Sequence, residues 1–249
     1  MSVGPDRARG VFETLLVRSG RPVELDAHLT RLDGSLRTVF GTPLPARARE
    51  LVLEQADGAA LARLRLDVAP NGSGELACAV RVVPVDAALV FPDWPRALVL
   101  RSLTIRGGLG AHKWADRRRV EAAEAEPGVV PLVVDADGSV LEASRGNVFV
   151  VLDGALVTPR ADGRILPGVT RGRVLELAAD ANLDVREGDV SSADLRAATE
   201  AFLTGAVRGV EPVCIWDDRP AWPQGTVTTL LSARLRRRWD RGLEEVGSR

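Results

Sequence analysis

Apolar and polar positions recur along the first hundred residues with two different periods. The run GVFETLLV at 10–17, the turn RSGR at 18–21 and the segment PVEL at 22–25 predict a β-hairpin. From Asp26 the period becomes 3.6 residues, which predicts an amphipathic helix over 27–40 with Asp26 as its N-cap. The apolar face of this helix consists of Leu29, Leu32, Leu36, Val39 and Phe40.

A second hairpin is predicted further along the chain. A helix is expected over 45–56, and strict alternation then returns on both sides of the turn NGSG at 71–74. A strand at 97–105 leads into a glycine-rich turn that ends near His112. A domain boundary fits at this turn.

The second half mixes further strands with further helices. Its predicted elements are a helix over 114–126, strands within 131–159, a helix over 170–182, a short helix capped by Ser192, a strand at 200–205 and a closing helix over 226–246.

Composition excludes several classes of function. Lys and Arg total 33 against 34 Asp and Glu, so the net charge is −1 and the chain lacks the basic footprint of a nucleic-acid-binding protein. No apolar run approaches the roughly 20 residues of a membrane span, and the first ten residues lack the apolar stretch of a signal peptide. We therefore expect no membrane or nucleic-acid partner and a cytoplasmic location.

Cysteine and histidine are scarce. The two cysteines, Cys78 and Cys214, each lie alone in an apolar stretch, which indicates buried thiols rather than a disulfide or a zinc site. With only two histidines as well, His28 and His112, no metal centre is expected.

One basic residue differs from all the others in type. Every basic residue is arginine except Lys113, the only lysine of the chain. Either side chain serves as a surface cation, but only a primary amine can lose its proton near neutral pH and condense with a carbonyl. Lys113 is therefore a candidate catalytic residue, and chance retention of one lysine is the alternative.

Three turns of the second half combine glycine with short polar side chains: SRGN at 144–147, PGVTR at 167–171 and TGAVRG at 204–209. PGVTR opens a predicted helix, and the unpaired N–H groups of a helix N-terminus bind anions. A phosphate cradle at this turn, a unique amine and Glu142 in an apolar strand together suit pyridoxal phosphate (PLP). Glycine and threonine also begin helices for capping reasons alone, so the turn by itself is a weak signal.

Six motifs occur in the order and spacing of one family, from about residue 10 to about residue 215: GVFETLLV, HLTRL, HKWADR, LEASRGNVFV, TPRADGRILPGVTR and FLTGAVRGVEPV. On these motifs the chain resembles the fold-type IV (class IV) PLP-dependent aminotransferases and lyases. Within that family it is most similar to the 4-amino-4-deoxychorismate lyases.

The resemblance implies a role for each matching residue. Lys113 would form the Schiff base with PLP and carry protons, Arg31 of HLTRL would bind the cofactor phosphate, and Glu142 would pair with the pyridine nitrogen. Without the resemblance, Arg31 is an exposed helix charge and Glu142 a strand-edge carboxylate. The other implied cofactor contacts are Asn147, Leu166, Gly168, Val169, Thr170, Gly205 and Ala206.

Substrate carboxylates need cationic or hydroxyl partners. The candidates for this role are Thr14, Arg65, Arg106 and Arg160, although each arginine is also explained as a surface charge.

Departures from the family's aminotransferases favour the lyase branch. The chain contains no tyrosine, whereas those aminotransferases place a tyrosine against the phenolic oxygen of the cofactor. TPRADG and the K-x-x-D-R pattern of Lys113, Asp116 and Arg117 are also closer to the lyase branch. Ala206 stands where many of the aminotransferases have a phosphate-binding threonine, which leaves the backbone amide for this role. The implied reaction converts 4-amino-4-deoxychorismate to 4-aminobenzoate and pyruvate, as in folate biosynthesis. The alternatives are a class IV aminotransferase acting on branched-chain or D-amino acids and a catalytically silent family member.

The resemblance also implies the organisation of the chain: two α/β domains with PLP in the cleft between them. We expect a smaller N-terminal domain over 1–106, a linker over 107–112 and a larger C-terminal domain over 113–249 that carries the PLP lysine. Family members are homodimers, so a homodimer is expected. Only about nine residues precede GVFET. This beginning is similar to lyase domains fused behind a synthase subunit, and it suggests a functional link to an aminodeoxychorismate synthase.

Overall fold

The computed structural model describes residues 4–125, 128–219 and 221–244. Its strands are β1 (Val11–Arg18), β2 (Arg21–Pro22), β3 (Leu61–Pro70), β4 (Leu76–Pro84), β5 (Leu98–Thr104), β6 (Val129–Val134), β7 (Ser139–Ala143), β8 (Gly146–Leu152), β9 (Ala155–Pro159), β10 (Val185–Gly188), β11 (Val190–Ser191), β12 (Glu200–Gly205) and β13 (Gly209–Trp216). Its helices are α1 (Leu25–Phe40), α2 (Ala48–Ala56), α3 (Arg118–Glu121), α4 (Val169–Ala179), α5 (Ser192–Ala197) and α6 (Thr226–Glu244).

The chain divides into two compact units, and the first is formed mainly by the residues up to Ala87 together with His112–Arg119. Its antiparallel sheet has the strand order β2-β1-β3-β4, and α1 and α2 share one hydrophobic core with it. Full burial of a leucine contributes about 2 kcal/mol. The leucines that are almost completely buried in this core are Leu15, Leu32, Leu36, Leu64 and Leu66.

Helix α1 confirms the predicted amphipathic helix but begins at Leu25. Glu24 precedes it in the left-handed backbone region (φ 55°), so Asp26 lies in the first helical turn and is not the N-cap. Its carboxylate there interacts favourably with the positive end of the helix dipole. The predicted strand at 22–25 is reduced to Arg21–Pro22, because the chain turns into the helix at Glu24.

The second unit is formed mainly by Ala88–Ala111 and Val120–Arg241. Its nine strands have the order β10-β9-β8-β12-β13-β5-β6-β7-β11. Strand β7 also pairs with β8, so the six strands from β8 to β7 in this order form a closed ring. The core of this unit includes Leu100, Leu132, Val148, Leu203 and Val213.

The unit boundaries differ from the predicted domains 1–106 and 113–249. Strand β5 pairs in parallel with β13 and β6, so the chain from Ala88 belongs to the second unit. The segment His112–Arg119 belongs to the first unit because its backbone pairs with β1. The Phe12 N–H donates to the Lys113 carbonyl (2.8 Å), and the Ala115 N–H donates to the Gly10 carbonyl (3.0 Å).

Two predicted helix boundaries need correction. Of the helix expected over 114–126, only Arg118–Glu121 is α-helical, followed by a 3-10 turn at Ala123–Ala125, and residue 126 lies outside the described residues. Backbone pairing with β1 replaces helical hydrogen bonds at the start of this segment. Ser191, rather than Ser192, caps α5 through a capping box with Asp194.

The two cysteines are free thiols, as predicted, but they are half-buried rather than buried. Burial raises the pKa of both the Cys78 and the Cys214 thiol.

Within the described part of the chain, no helix has both the length and the apolar character needed to cross a bilayer. Strands and helices are mixed in two units, which confirms the predicted α/β class.

Candidate active site

The side chain of Lys113 lies against an aromatic ring. The backbone pairing with β1 fixes its main chain, and Trp114 forms an isolated bridge with Val11. The lysine is half-buried, and its Nζ lies 4.9 Å from the centroid of the Phe12 ring. Such a cation–π contact contributes about 0.5–2 kcal/mol. The amine is therefore held at a defined surface of the first unit.

Two predicted substrate contacts, Thr14 and Arg65, lie on the same sheet face as Phe12. Phe12 and Thr14 are two residues apart on β1 and so share a face, and Thr14 pairs directly with Arg65 on β3. The Arg65 guanidinium carbon lies 3.7 Å from the Phe12 ring centroid. Asp67 holds it by accepting from Nε (2.9 Å) and Nη2 (2.7 Å). The structure thus brings Arg65 and Lys113 to one aromatic ring, with Thr14 next to Arg65 on the same sheet face.

The predicted phosphate contact Arg31 forms a two-pronged ion pair with Glu13. Its Nε donates to Glu13 Oε1 (2.7 Å), its Nη2 donates to Oε2 (2.7 Å), and His28 Nδ1 lies 2.8 Å from Oε2. Burial alone would raise the pKa of Glu13, but the charge of Arg31 and the bonds from His28 and Arg31 outweigh it and lower that pKa from 4.5 to about 2. The phosphate role of Arg31 stays a prediction.

In the second unit, the predicted residues Glu142, Asn147 and Leu166 form one hydrogen-bonded group. Glu142 and Asn147 are register partners across the β7–β8 turn. The Leu166 N–H donates to both carboxylate oxygens of Glu142 (3.2 Å each), while Asn147 Nδ2 donates to the Leu166 carbonyl (2.9 Å) and more weakly to Glu142 Oε2 (3.4 Å). Glu142 is 4% exposed. A buried, oriented carboxylate results.

The N-terminus of α4 adjoins this group. Gly168 is its N-cap, and no side chain in the described residues caps the helix there. A Cβ on Gly168 would lie 2.0 Å from Asn147 Oδ1, so only glycine allows this close approach. Val169 and Thr170 occupy the first turn, where N–H groups point out of the helix and bind anions.

Gly205, the last residue of β12, and Ala206 in the β12–β13 turn lie at the same end of the sheet. Thr204 pairs with Asn147, and a Cβ on Gly146 would lie 2.6 Å from the Thr204 carbonyl oxygen. The two turns predicted to bind phosphate, at 167–171 and 204–209, therefore both adjoin Asn147 of the third glycine-containing turn within the second unit.

The other two substrate candidates are exposed. Arg106 lies in a turn, and Arg160 Nε lies 3.8 Å from Asp189 Oδ1 on the surface. The roles of Arg106 and Arg160 as substrate contacts stay predictions.

Phe12 and Glu13 are site residues that sequence reasoning missed. Glu13 lies on the same face of β1 as the core residues Val11 and Leu15, and it is 1% exposed. A carboxylate at a core position is the signal that could have identified it, because a buried charge requires a partner.

Replacing Gly168 with alanine is expected to lower stability and loosen this end of the sheet. The φ of −65° suits any residue, so the effect is steric: the new Cβ would displace Asn147 and break its bond to the Leu166 carbonyl. Overpacking of this kind costs about 1–3 kcal/mol, which urea unfolding measures. The matched control is Gly172→Ala on the same helix, where an added Cβ meets nothing within 4 Å. It should be neutral or stabilise by about 1 kcal/mol, and equal effects would contradict the packing described.

Comparison with known proteins finds similarity over the same part of the chain that carries the six motifs. The chain matches the family model "Amino-transferase class IV" over residues 10–102 and 109–216. It is 32% identical over 216 residues to a probable branched-chain-amino-acid aminotransferase of Thermotoga maritima, covering 82% of this chain and 76% of that protein.

Solved structures extend the similarity to the fold. The 4-amino-4-deoxychorismate lyase of Pseudomonas aeruginosa superposes with a TM-score of 0.80 at 28% identity, covering 95% of this chain and 94% of the lyase. The PLP-bound form of a hypothetical aminotransferase from Mycobacterium tuberculosis superposes with a TM-score of 0.76 at 26% identity, covering 92% and 89%. The predicted fold-type IV architecture is confirmed, and the chain belongs to the class IV aminotransferase family.

Proposed function

We propose that this protein is a PLP-dependent lyase that converts 4-amino-4-deoxychorismate to 4-aminobenzoate and pyruvate. The observation that carries the proposal is the only lysine of the chain, held with its amine against Phe12 on a face that also bears Arg65. Two facts support the lyase branch: the similarity to the Pseudomonas lyase along nearly the whole chain, and the absence of tyrosine.

The residues present fit PLP on chemical grounds. Glu142 is a buried carboxylate oriented by Leu166 and Asn147, suited to accept the N–H of a pyridinium ring. In the described residues, no side chain caps the N-terminus of α4, so its N–H groups are available to bind an anion. Glycine at position 168 lets this N-terminus approach Asn147, because a Cβ there would collide with Asn147 Oδ1. Lys113 supplies the amine.

PLP supplies an aldehyde that bonds to amines and a pyridine ring that withdraws electrons from the bonds beside the bound amine. Glu142 would hold the proton on the pyridine nitrogen and so maintain this withdrawal. The N–H groups of Val169 and Thr170 would bind the phosphate, together with the Gly205–Ala206 turn.

Lys113 would act twice. It would hold the aldehyde until the substrate amine takes its place, and the Nζ freed by that exchange would then take the proton from the substrate carbon that bears the amine. Enolpyruvate would leave from the neighbouring carbon and take up a proton to become pyruvate. The six-membered ring would thereby become aromatic, and this gain would drive the reaction forward. The chain therefore needs to supply little more than proton transfer and orientation.

A second candidate is an aminotransferase acting on branched-chain amino acids. It is favoured by the 32% identity to the Thermotoga protein of that description. It would use the same Lys113, so the two functions differ in the substrate and in the bond that breaks.

Parallel assays on purified, PLP-supplied protein separate the two functions. One contains 4-amino-4-deoxychorismate and measures pyruvate with lactate dehydrogenase and 4-aminobenzoate by fluorescence. The other contains a branched-chain or D-amino acid with 2-oxoglutarate and measures glutamate. We expect equal amounts of pyruvate and 4-aminobenzoate in the first and no glutamate in the second. Glutamate without pyruvate would establish the aminotransferase, and no product in either would favour a catalytically silent protein. The homodimer, the link to a synthase and the cytoplasmic location stay predictions.

A further inference from the structure

Lys113 shares one aromatic ring with a second cation, Arg65. The Lys113 Nζ lies 4.9 Å and the Arg65 guanidinium carbon 3.7 Å from the centroid of the Phe12 ring. Because both distances end at the same point, no more than about 9 Å, their sum, separates the two positive groups. Both side chains are partly buried, and salt screens such charges less than it screens exposed ones. Arg65 is therefore close enough to influence the protonation of the amine.

One carboxylate opposes this influence. Asp67 is the register partner of Phe12, and it accepts hydrogen bonds from Arg65 Nε (2.9 Å) and Nη2 (2.7 Å). A negative charge near Lys113 favours the ammonium form, as does the face of the Phe12 ring, whereas a positive charge favours the uncharged amine. The two members of the Arg65–Asp67 pair therefore act on Lys113 in opposite directions.

The sheet face that carries this pair holds more positive than negative charge. Alternate residues of a strand point to the same face, and the register extends this face from β1 to β2 on one side and to β3 and β4 on the other. Among the described residues, Asp67 is the only carboxylate that these four strands place on the face. Its further charged residues are Arg18, Arg21, Arg63 and Arg81.

Charged groups also lie on the other elements around Lys113. The Asp116 carboxylate of its own segment accepts a hydrogen bond from the Asp6 N–H (2.9 Å). Burial lowers the pKa of the His112 ring, so this neighbour is uncharged at neutral pH. The remaining charged residues are Arg7 and Arg9 before β1, Arg117, Arg118 and Arg119 after Lys113, and Glu13, Arg31 and His28, which pair with one another on the core side of the sheet. Arg65 is the cation that contacts the same ring as Lys113.

We propose that the Arg65 cation favours the uncharged form of the Lys113 amine and that Asp67 limits this effect. The inference rests on the proposed function, in which the amine bonds to an aldehyde and takes a proton. Both steps need the lone pair that only the uncharged amine carries. Arg65 therefore has a role that is independent of any contact with the substrate, because it acts through Lys113.

The unique lysine allows a direct test. In the full chain, isotopically labelled at lysine Cε and freed of PLP with hydroxylamine, one NMR signal reports the protonation of Lys113. Two unit charges about 9 Å apart, at effective dielectric constants between about 20 and 80, change the titration midpoint by about 0.3 to 1.4 pH units. At about 0.15 M salt we expect the midpoint to rise by at least about 0.3 in Arg65→Gln and to fall by at least about 0.3 in Asp67→Asn.

The matched control is Arg81→Gln. Arg81 is the register partner of Arg65 on β4 and lies on the same face, but it is exposed, so salt screens its charge. The midpoint in this variant should stay within about 0.2 of wild type. A rise in Arg81→Gln as large as that in Arg65→Gln would show a general effect of the charged face and would overturn the inference.

Opposite shifts in the two test variants separate the proposed charge effect from a change in packing. If either variant moves the midpoint by less than about 0.3, or both move it in the same direction, the inference is overturned. Should Arg65→Gln fail to fold, Asp67→Asn decides with the same limit. Failure of the proposed function is distinguishable, because wild-type protein would then form no pyruvate, whereas the titration needs neither PLP nor substrate.

Discussion

Lys113→Arg is expected to lower kcat/KM by at least about 10³-fold and to prevent covalent attachment of PLP. Arginine keeps the positive charge and can stay over the Phe12 ring, so local packing changes little. A guanidinium group, however, does not lose its proton near neutral pH and forms no carbon–nitrogen double bond with an aldehyde. Steady-state kinetics and the visible absorbance of the PLP-loaded protein measure the two effects.

A second variant separates the role of Lys113 from the mere presence of a lysine. The double change Lys113→Arg with Arg118→Lys leaves the composition unchanged and moves the only lysine to an exposed position in α3. It should be as inactive as the single variant. Activity above about one hundredth of wild type in either protein would be incompatible with general acid–base and covalent roles for Lys113.

Glu13→Gln is expected to lower the free energy of unfolding by about 3 kcal/mol at pH 7 and the melting temperature by roughly 6–12 °C. The Glu13 carboxylate is buried and serves Arg31 and His28 at once. The amide that replaces it carries no charge, so the buried ion pair between Glu13 and Arg31 is lost. Urea and thermal unfolding measure the change. The matched control is Glu54→Gln on α2, an exposed position where little change is expected.

The effect of Glu13 should depend on pH in a defined direction. Its pKa in the folded protein is lowered from 4.5 to about 2. A carboxyl group with a depressed folded-state pKa stabilises the protein above its unfolded pKa, and this contribution disappears as the pH falls through the folded-state value. The difference between wild type and Glu13→Gln should therefore shrink between about pH 4.5 and pH 2. A difference that is the same at pH 3 and pH 7 would show that the carboxylate charge is not the source of the stability.

The sequence correctly predicts the elements whose hydrophobic pattern is complete within one short segment of the chain. Helix α1 and the β3–β4 hairpin follow from patterns within a few residues, since the helix buries one stripe and the hairpin closes on NGSG. The failed helix over 114–126 has a tertiary cause. Its first residues pair with β1, about a hundred positions earlier in the chain, and no local pattern reveals such pairing.

The bounds of the compact units differ from the predicted domain bounds for a similar reason. Strand β5 resembles any short apolar strand, but its parallel neighbours β6 and β13 come later in the sequence, the latter more than a hundred residues on. Parallel pairing is set by tertiary contacts rather than by a turn.

The candidate site was only partly accessible from the sequence. Lys113 stands out by residue type, and the Glu142–Asn147 pair follows from motifs that lie together in the chain. The contact between Thr204 and Asn147 joins residues 57 positions apart. It exists because β8 and β12 are neighbours in the sheet, which the sequence pattern does not show.

Borohydride reduction of the PLP-loaded protein, followed by peptide mass spectrometry, tests the central claim most directly. Reduction converts a carbon–nitrogen double bond into a stable amine, and Lys113 is the only side-chain amine in the chain. We predict one pyridoxyl adduct, on the peptide that contains Lys113, with loss of the visible absorbance. An unmodified Lys113 peptide from protein that retains bound PLP would contradict the assignment of this lysine as the cofactor's covalent partner.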